Sequence, residues 1–170
     1  ILAGADLLDK DSSPKEIENA RRYVIDGASR CIELIGNIRR AEESKNEPLM
    51  PTDLAYVLRT QIRLFSGQYG ITPQVDGIPD EVIVRANAAL GHLFWNLMEN
   101  SVKHNPGSDK RLWISGRKGP NYFTLKFADN GPGLDHRQKS RLFDPTRRSS
   151  GVGIHLVRRL ATKYEAHLAV

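Results

Sequence analysis

Residues 94–106 read FWNLMENSVKHNP, an apolar stretch interrupted by asparagines, a glutamate, a lysine and a histidine. On a helix turning 100° per residue, Asn100 and Lys103 fall within about 40° of Asn96, and His92 and Glu99 within about 60°. Leu90, Leu93, Phe94, Leu97, Met98 and Val102 take the remaining arc. An amphipathic helix with a solvated face accounts for that division. Yet a solvated face is ordinarily built from Lys and Glu, whereas asparagine is a weak helix former that wins its place by what its amide binds. A solvated stripe and a ligand-binding stripe both fit this segment, and the rest of the chain must separate them.

Two further stretches could do chemistry. DNGPG (129–133) follows a strand pattern in which Phe123, Leu125 and Phe127 face one way. Asp129 then ends a strand, where its carboxylate can accept a hydrogen bond from a bound group, and Gly131 and Gly133 let a ligand approach the backbone. A plain turn would use the same residues. Ser-Ser-Gly-Val-Gly (149–153) opens a helix, whose free N–H groups and positive dipole end suit an anion, although glycine is also simply a weak helix start. There is no G-x-x-x-x-G-K-[ST] and no G-x-G-x-x-G directly after a strand, so any nucleotide site is of another kind.

These pieces need a scaffold. Ser13 as cap, Pro14 at the first helical position and Glu16 completing a capping box predict a helix from 14 to about Glu43. Ile17, Val24, Cys31 and Ile38 recur every seven residues on it, with Ala20, Ala28, Leu34 and Ile35 alongside, which is a bundle seam. ILAGADLLD (1–9) reads as the tail of another helix, so an antiparallel hairpin turned at Lys10–Ser13 is expected, its seam covered in a dimeric four-helix bundle. Residues 46–51, with two prolines, read as a linker. Thr52 is expected to cap a helix on Leu54, Val57, Leu58, Ile62 and Phe65. Short β runs at 71–75 and 81–86, a helix at about 88–104, a hairpin of 110–118 with 121–129, a short helix near 135–142, a basic loop, a helix from 152 to 164 and a strand at HLAV (167–170) follow. The expected fold is α+β: a helical hairpin (1–45), the linker, and an α/β sandwich (52–170) with helices on one face of a mixed sheet.

Composition narrows the function classes. With 39% hydrophobic and 26% charged residues, the 170-residue chain matches a folded globular protein rather than a disordered or membrane one. No apolar run approaches the roughly 20 residues that span a bilayer, and no signal-peptide pattern opens the chain. The single cysteine, Cys31, excludes an intrachain disulfide framework, suits a reducing compartment and is expected to pack as a small apolar residue. The net charge of +5 fits a nucleic-acid surface or a site for a polyanionic small ligand. Arg137, Lys139, Arg141, Arg147 and Arg148 concentrate it in one stretch, which favours the second unless that stretch is merely a solvated basic loop.

An asparagine-bearing helix, a strand ending in DNGPG, LFDP at 142–145 and GVG opening a helix resemble, in that order, the N, G1, F and G2 boxes of the histidine kinase ATP-binding domain. This is the nucleotide-binding fold shared with gyrase, the heat-shock protein of the same class and the mismatch-repair ATPases. The resemblance covers about 52–170. ILAGADLLD and 14–43 likewise resemble the end of the first helix and the second helix of the dimerisation and phosphoacceptor domain. It implies that Asn100 coordinates Mg²⁺ through its amide oxygen, supported by Asn96, and that Lys103 contacts phosphate with His104 beside the ligand. It implies further that Asp129 accepts a hydrogen bond from the adenine amino group of ATP, that Gly131 and Gly133 admit the base, and that Phe143 anchors the lid. Gly151, Val152 and Gly153 would present backbone amides to the phosphates.

Two departures stand out. Where the family's last box commonly reads G-x-G-x-G, this chain has Gly151-Val-Gly153-Ile-His155, so His155 either meets the triphosphate or faces the surface. The lid between Leu134 and Ser150 is short. Related ATPases carry a water-activating glutamate four residues before the metal-binding asparagine, where this chain has Asn96, an amide that cannot act as a general base. The resemblance therefore implies a kinase that moves the γ-phosphoryl of Mg-ATP to a histidine and on to a response-regulator aspartate. None of His92, His104, His136, His155 and His167 is followed by an acidic residue, so the acceptor is expected upstream of Ile1 and this stretch by itself should not autophosphorylate. The expected partners are a second copy, through the hairpin, and a receiver domain. No nucleic acid is expected, the location is cytoplasmic, and any membrane attachment lies outside this chain. A degenerate kinase-like module that docks partners is the alternative.

Overall fold

The structure, a computed structural model, describes residues 13–142 and 152–170. The expected first helix, residues 10–12 of its turn, Phe143, Gly151 and the part of the basic loop and lid at 143–150 lie outside the described residues. The chain divides into two compact units, Ile1–Arg40 and Ala41–Val170.

Helix α1, Pro14–Asn46, begins as its capping box demands. The Glu16 carboxylate accepts from the Ser13 N–H at 2.8 Å and from its hydroxyl at 2.7 Å, while Glu16 N–H points back to Ser13 Oγ at 3.4 Å. These bonds, the hydroxyl's first, hold the Glu16 carboxyl below its usual range. Ile17, Tyr23, Ile25, Ile32 and Ile35 are exposed along α1, and so is Cys31.

In the second unit, strand β1 (Met50–Asp53) precedes helix α2 (Leu54–Tyr69), followed by β2 (Gln74–Asp76), β3 (Ile83–Ala86), helix α3 (Leu90–Lys103), β4 (Leu112–Lys118), β5 (Phe123–Asp129), α4 (His136–Leu142) and α5 (Val152–Lys163). Three expectations are corrected. Thr52 does not cap α2: pairing of β1 with β3 takes it into a strand opposite Val84, and Asp53 becomes the cap, accepting from Ala55 N–H at 3.0 Å and from Val82 N–H at 3.1 Å. The same pairing makes a strand of Met50 and Pro51, read as linker. Residues 167–170 form no strand, since none of the described strands pairs with them.

Strands β2, β4 and β5 make a mixed sheet, parallel between β2 and β4 and antiparallel between β4 and β5, and β1 with β3 makes a separate antiparallel pair. Alternation on β5 turns Phe123, Leu125 and Phe127 toward the core, as their period of two requires. Helices α2, α3 and α5 supply the rest of that core through Leu58, Phe65, Leu93, Phe94, Met98, Val157 and Leu160. Phe94 stacks on Phe127 with ring centres 6.2 Å apart, and its burial alone contributes about 2–3 kcal/mol. The result is the α/β sandwich. Among the described residues no helix is long and apolar enough to cross a membrane.

The far end of α5 is tied to the entry of α3. The Tyr164 hydroxyl donates to Asn87 Oδ1 at 2.5 Å, and the same oxygen accepts from Ala89 N–H at 3.2 Å. Burial pushes the Tyr164 phenol up to about 12. An unfolded tyrosine titrates near 10, so above that pH the unfolded chain releases a proton that the folded chain keeps. Stability is therefore unaffected below about pH 10 and falls by up to about 2 kcal/mol as pH rises toward 12. Denaturation of wild type and Tyr164→Phe from pH 8 to 11.5 should show the variant weaker at pH 8, by about 1 kcal/mol for the lost hydrogen bond, with the gap closing in alkali.

Candidate functional site

Three elements converge beside α3. Its asparagine stripe is not solvated: Asn96 is buried, at 5% exposure, and Asn100 is half-buried. The Asn96 amide nitrogen donates to the His92 carbonyl at 2.7 Å, a bond within the helix that leaves the amide oxygen directed outward. What that oxygen meets is α5. A Cβ on Gly153 would lie 2.6 Å from Asn96 Oδ1 and 3.7 Å from Asn100 Oδ1, so only glycine allows the first turn of α5 this close. The first turn of a helix carries unpaired N–H groups, and this turn of α5 lies against the asparagine amides of α3. Gly153 and the two asparagines, picked out separately in the sequence, thus share one surface, and Val152 opens α5 beside them.

The DNGPG turn arrives from β5. Asp129 is exposed, and its Oδ1 accepts from Gly131 N–H at 2.8 Å, which leaves its other oxygen to face outward. Gly133 has φ +73°, a backbone that favours glycine. Two residues that sequence reading passed over hold the turn against the end of α3. Buried Asn105 donates from Nδ2 to Asn130 Oδ1 at 2.9 Å and accepts at Oδ1 from Gly107 N–H at 2.9 Å. Asn130 Oδ1 also accepts from Arg111 N–H at 2.8 Å, and its Nδ2 donates to the Asp109 carbonyl at 2.8 Å. A buried amide is costly unless paired, so these bonds lock the turn. Asparagine next to a proline reads locally as turn chemistry, which hides this role.

His104 ends α3, its N–H donating to the Asn100 carbonyl at 3.0 Å, and its side chain is exposed. Lys103 pairs with Glu99 at 3.1 Å, and the other Glu99 oxygen accepts from the Tyr69 hydroxyl at 2.8 Å. Tyr69 was not singled out by sequence, since its hydroxyl meets Glu99 only through the packing of α2 on α3. His155 stands two residues, about 200°, beyond Gly153 on α5. It lines a shallow groove with Arg158, Arg159 and Thr162 on the helix face turned away from the asparagines.

The family model of the histidine kinase-, DNA gyrase B- and HSP90-like ATPases matches residues 86–170, the part of the chain that holds this site. The chain belongs to that family. It is similar to the swarming motility regulation sensor protein RssA of Serratia marcescens, 32% identical over 103 residues, which are 56% of this chain and 22% of RssA. It is also similar to the sensor histidine kinase YxdK of Bacillus subtilis (strain 168), 26% identical over 119 residues, 65% of this chain and 36% of YxdK. The chain thus spans well under half the length of either relative. Among solved structures it shares the fold of the mycobacterial sensor histidine kinase MprB, with a TM-score of 0.60 and 22% identity over 69% of this chain and 80% of that one. The ATP-binding domain is accordingly of the histidine kinase type.

The tight seat of α5 makes a direct test. Gly153→Ala should destabilise the unit by about 1–3 kcal/mol in urea denaturation, the cost of forcing a methyl against Asn96. In an Asn96→Ala background the same change should be neutral or stabilising, because the space is free and alanine is the better helix former.

Proposed function

We propose that this chain is the ATP-binding core of a two-component sensor histidine kinase. It binds Mg-ATP and transfers the γ-phosphoryl group to a histidine outside these 170 residues, from which an aspartate of a response regulator takes it. The observation that carries this reading is the packing of Gly153 against Asn96 and Asn100. It gathers amide oxygens and helix N-terminal N–H groups, the donor set for a hard cation and phosphates, on one surface. Asn100, with Asn96 supporting, would hold Mg²⁺, which when bound neutralises phosphate charge. The backbone amides of Gly151, Val152 and Gly153 and the Lys103 ammonium would hold the phosphates, with His104 alongside and Phe143 anchoring the lid. The outward oxygen of Asp129 would accept from the adenine amino group, with Gly131 and Gly133 leaving room for the base.

Transfer to protein is favoured over hydrolysis because α3 offers no unengaged carboxylate to activate water. Asn96 is an amide, and both oxygens of Glu99 are engaged by Tyr69 and Lys103. The degenerate reading loses its support from His155, which lies away from the asparagines. The exposed isoleucines of α1 support dimerisation through that helix, within a helical hairpin over 1–45. With no acidic residue after any histidine, the isolated stretch would bind nucleotide without phosphorylating itself. We place it in the cytoplasm, with any membrane attachment outside this chain and no nucleic-acid partner.

Calorimetric titration with ATP should show binding that strengthens with Mg²⁺. Asn100→Ala should weaken Mg-ATP roughly tenfold or more while leaving the fold intact, as expected for one lost charge-assisted contact. Asp129→Asn should reduce the preference for ATP over GTP. Unchanged Mg-ATP affinity in the first variant, or unchanged base preference in the second, would show the assignment to be wrong.

A further inference from the structure

Lysines on helix surfaces are ordinarily mobile, and an exposed i, i+4 pair with glutamate holds them weakly. The Glu99–Lys103 pair differs because its carboxylate is itself anchored. Glu99 is the only acidic residue of α3, and its side chain is 16% exposed against 40% for Lys103. Its second oxygen is held by the Tyr69 hydroxyl of α2 at 2.8 Å. The Tyr69 ring is fixed in turn, with its centre 4.7 Å from Phe65, which is fully buried, and 6.2 Å from Trp95. A continuous chain of contacts therefore runs from the core through Tyr69 and Glu99 to the ammonium.

We propose that Tyr69 and Glu99 are positioning residues that hold the Lys103 ammonium at the site face, and that recognition of the nucleotide's phosphates depends on them. The proposal rests on the Mg-ATP reading above. An ammonium has three donors, so pairing with Glu99 is compatible with donating to phosphate oxygens as well. Holding a four-bond side chain in place before the ligand arrives removes an ordering cost that binding would otherwise carry. Asn100 and Lys103 lie on one stripe of α3, within about 60° of each other, so both belong to the same face of the helix. Glu99 acts through Lys103 and touches no ligand.

The test uses the whole 170-residue chain, titrated with Mg-ATP and separately with adenosine. Glu99→Gln and Tyr69→Phe should each weaken Mg-ATP about fivefold, the typical cost of ordering one long side chain, and leave adenosine unchanged. In a Lys103→Met background neither change should have a further effect. Unchanged or tighter Mg-ATP binding in Glu99→Gln, an equal loss for adenosine, or an undiminished effect without Lys103 would overturn the proposal. A second measurement needs no nucleotide. The ¹⁵N signal of the Lys103 ammonium should be ordered and slowly exchanging in the wild type and mobile in both variants. If the wild type binds no Mg-ATP, the kinase reading falls, and this signal alone decides the pinning; equal mobility in all three proteins would overturn it.

Discussion

A glycine that leaves no room for a methyl group sets the geometry of this unit. Gly153 brings the start of α5 onto Asn96 and Asn100, and that contact takes part of a stripe of polar side chains out of solvent. Helix α3 is thereby committed on two sides. Its apolar arc is spent on Phe127 of β5 and on the α2 and α5 cores, and its asparagine arc lies under α5. At the other end Tyr164 reaches Asn87, so α5 is held against α3 near both of its ends. A sliding of either helix would take the half-buried Tyr164 phenol away from its acceptor Asn87, which is costly for a partly desolvated hydroxyl.

Polar groups do the aligning elsewhere too. The Asn105–Asn130 bond fixes the DNGPG turn to the end of α3, so Asp129 and Asn100 are positioned by the same helix terminus. Tyr69 and Glu99 do the same for Lys103. In each case the hydrogen bonds of one residue decide where a candidate site residue stands. In the phosphoryl transfer proposed above, where positioning and electrostatics would supply most of the catalysis, such supports would matter as much as the contacts themselves.

A good part of this was legible in the sequence. The capping box at Ser13 and Glu16, the two periodicities of the α3 and β5 segments and the order of the glycine-bearing turns are all local patterns, and local patterns survive without knowledge of the fold. Elements that depend on a distant partner were misjudged. Thr52 and Asp53 are both competent caps, and the choice between them is made by β3, some thirty residues away in sequence, which draws Thr52 into a strand. HLAV alternates as a strand does, but alternation supplies no partner for its hydrogen bonds, and the described residues offer none.

By itself the sequence determined that α3 would carry amides on one arc and apolar groups on the other, because side-chain direction follows from 3.6 residues per turn. It determined likewise that glycine-rich turns would flank that helix in the order of a known nucleotide-binding family. Whether the amides faced water or a partner was not in that pattern, since both alternatives share one periodicity. Tertiary structure decided it by burying Asn96 beneath Gly153, and by taking up both oxygens of Glu99 in contacts with Tyr69 and Lys103. The physical reason is that burial and hydrogen-bond partners are properties of two surfaces brought together, and a periodicity describes only one of them.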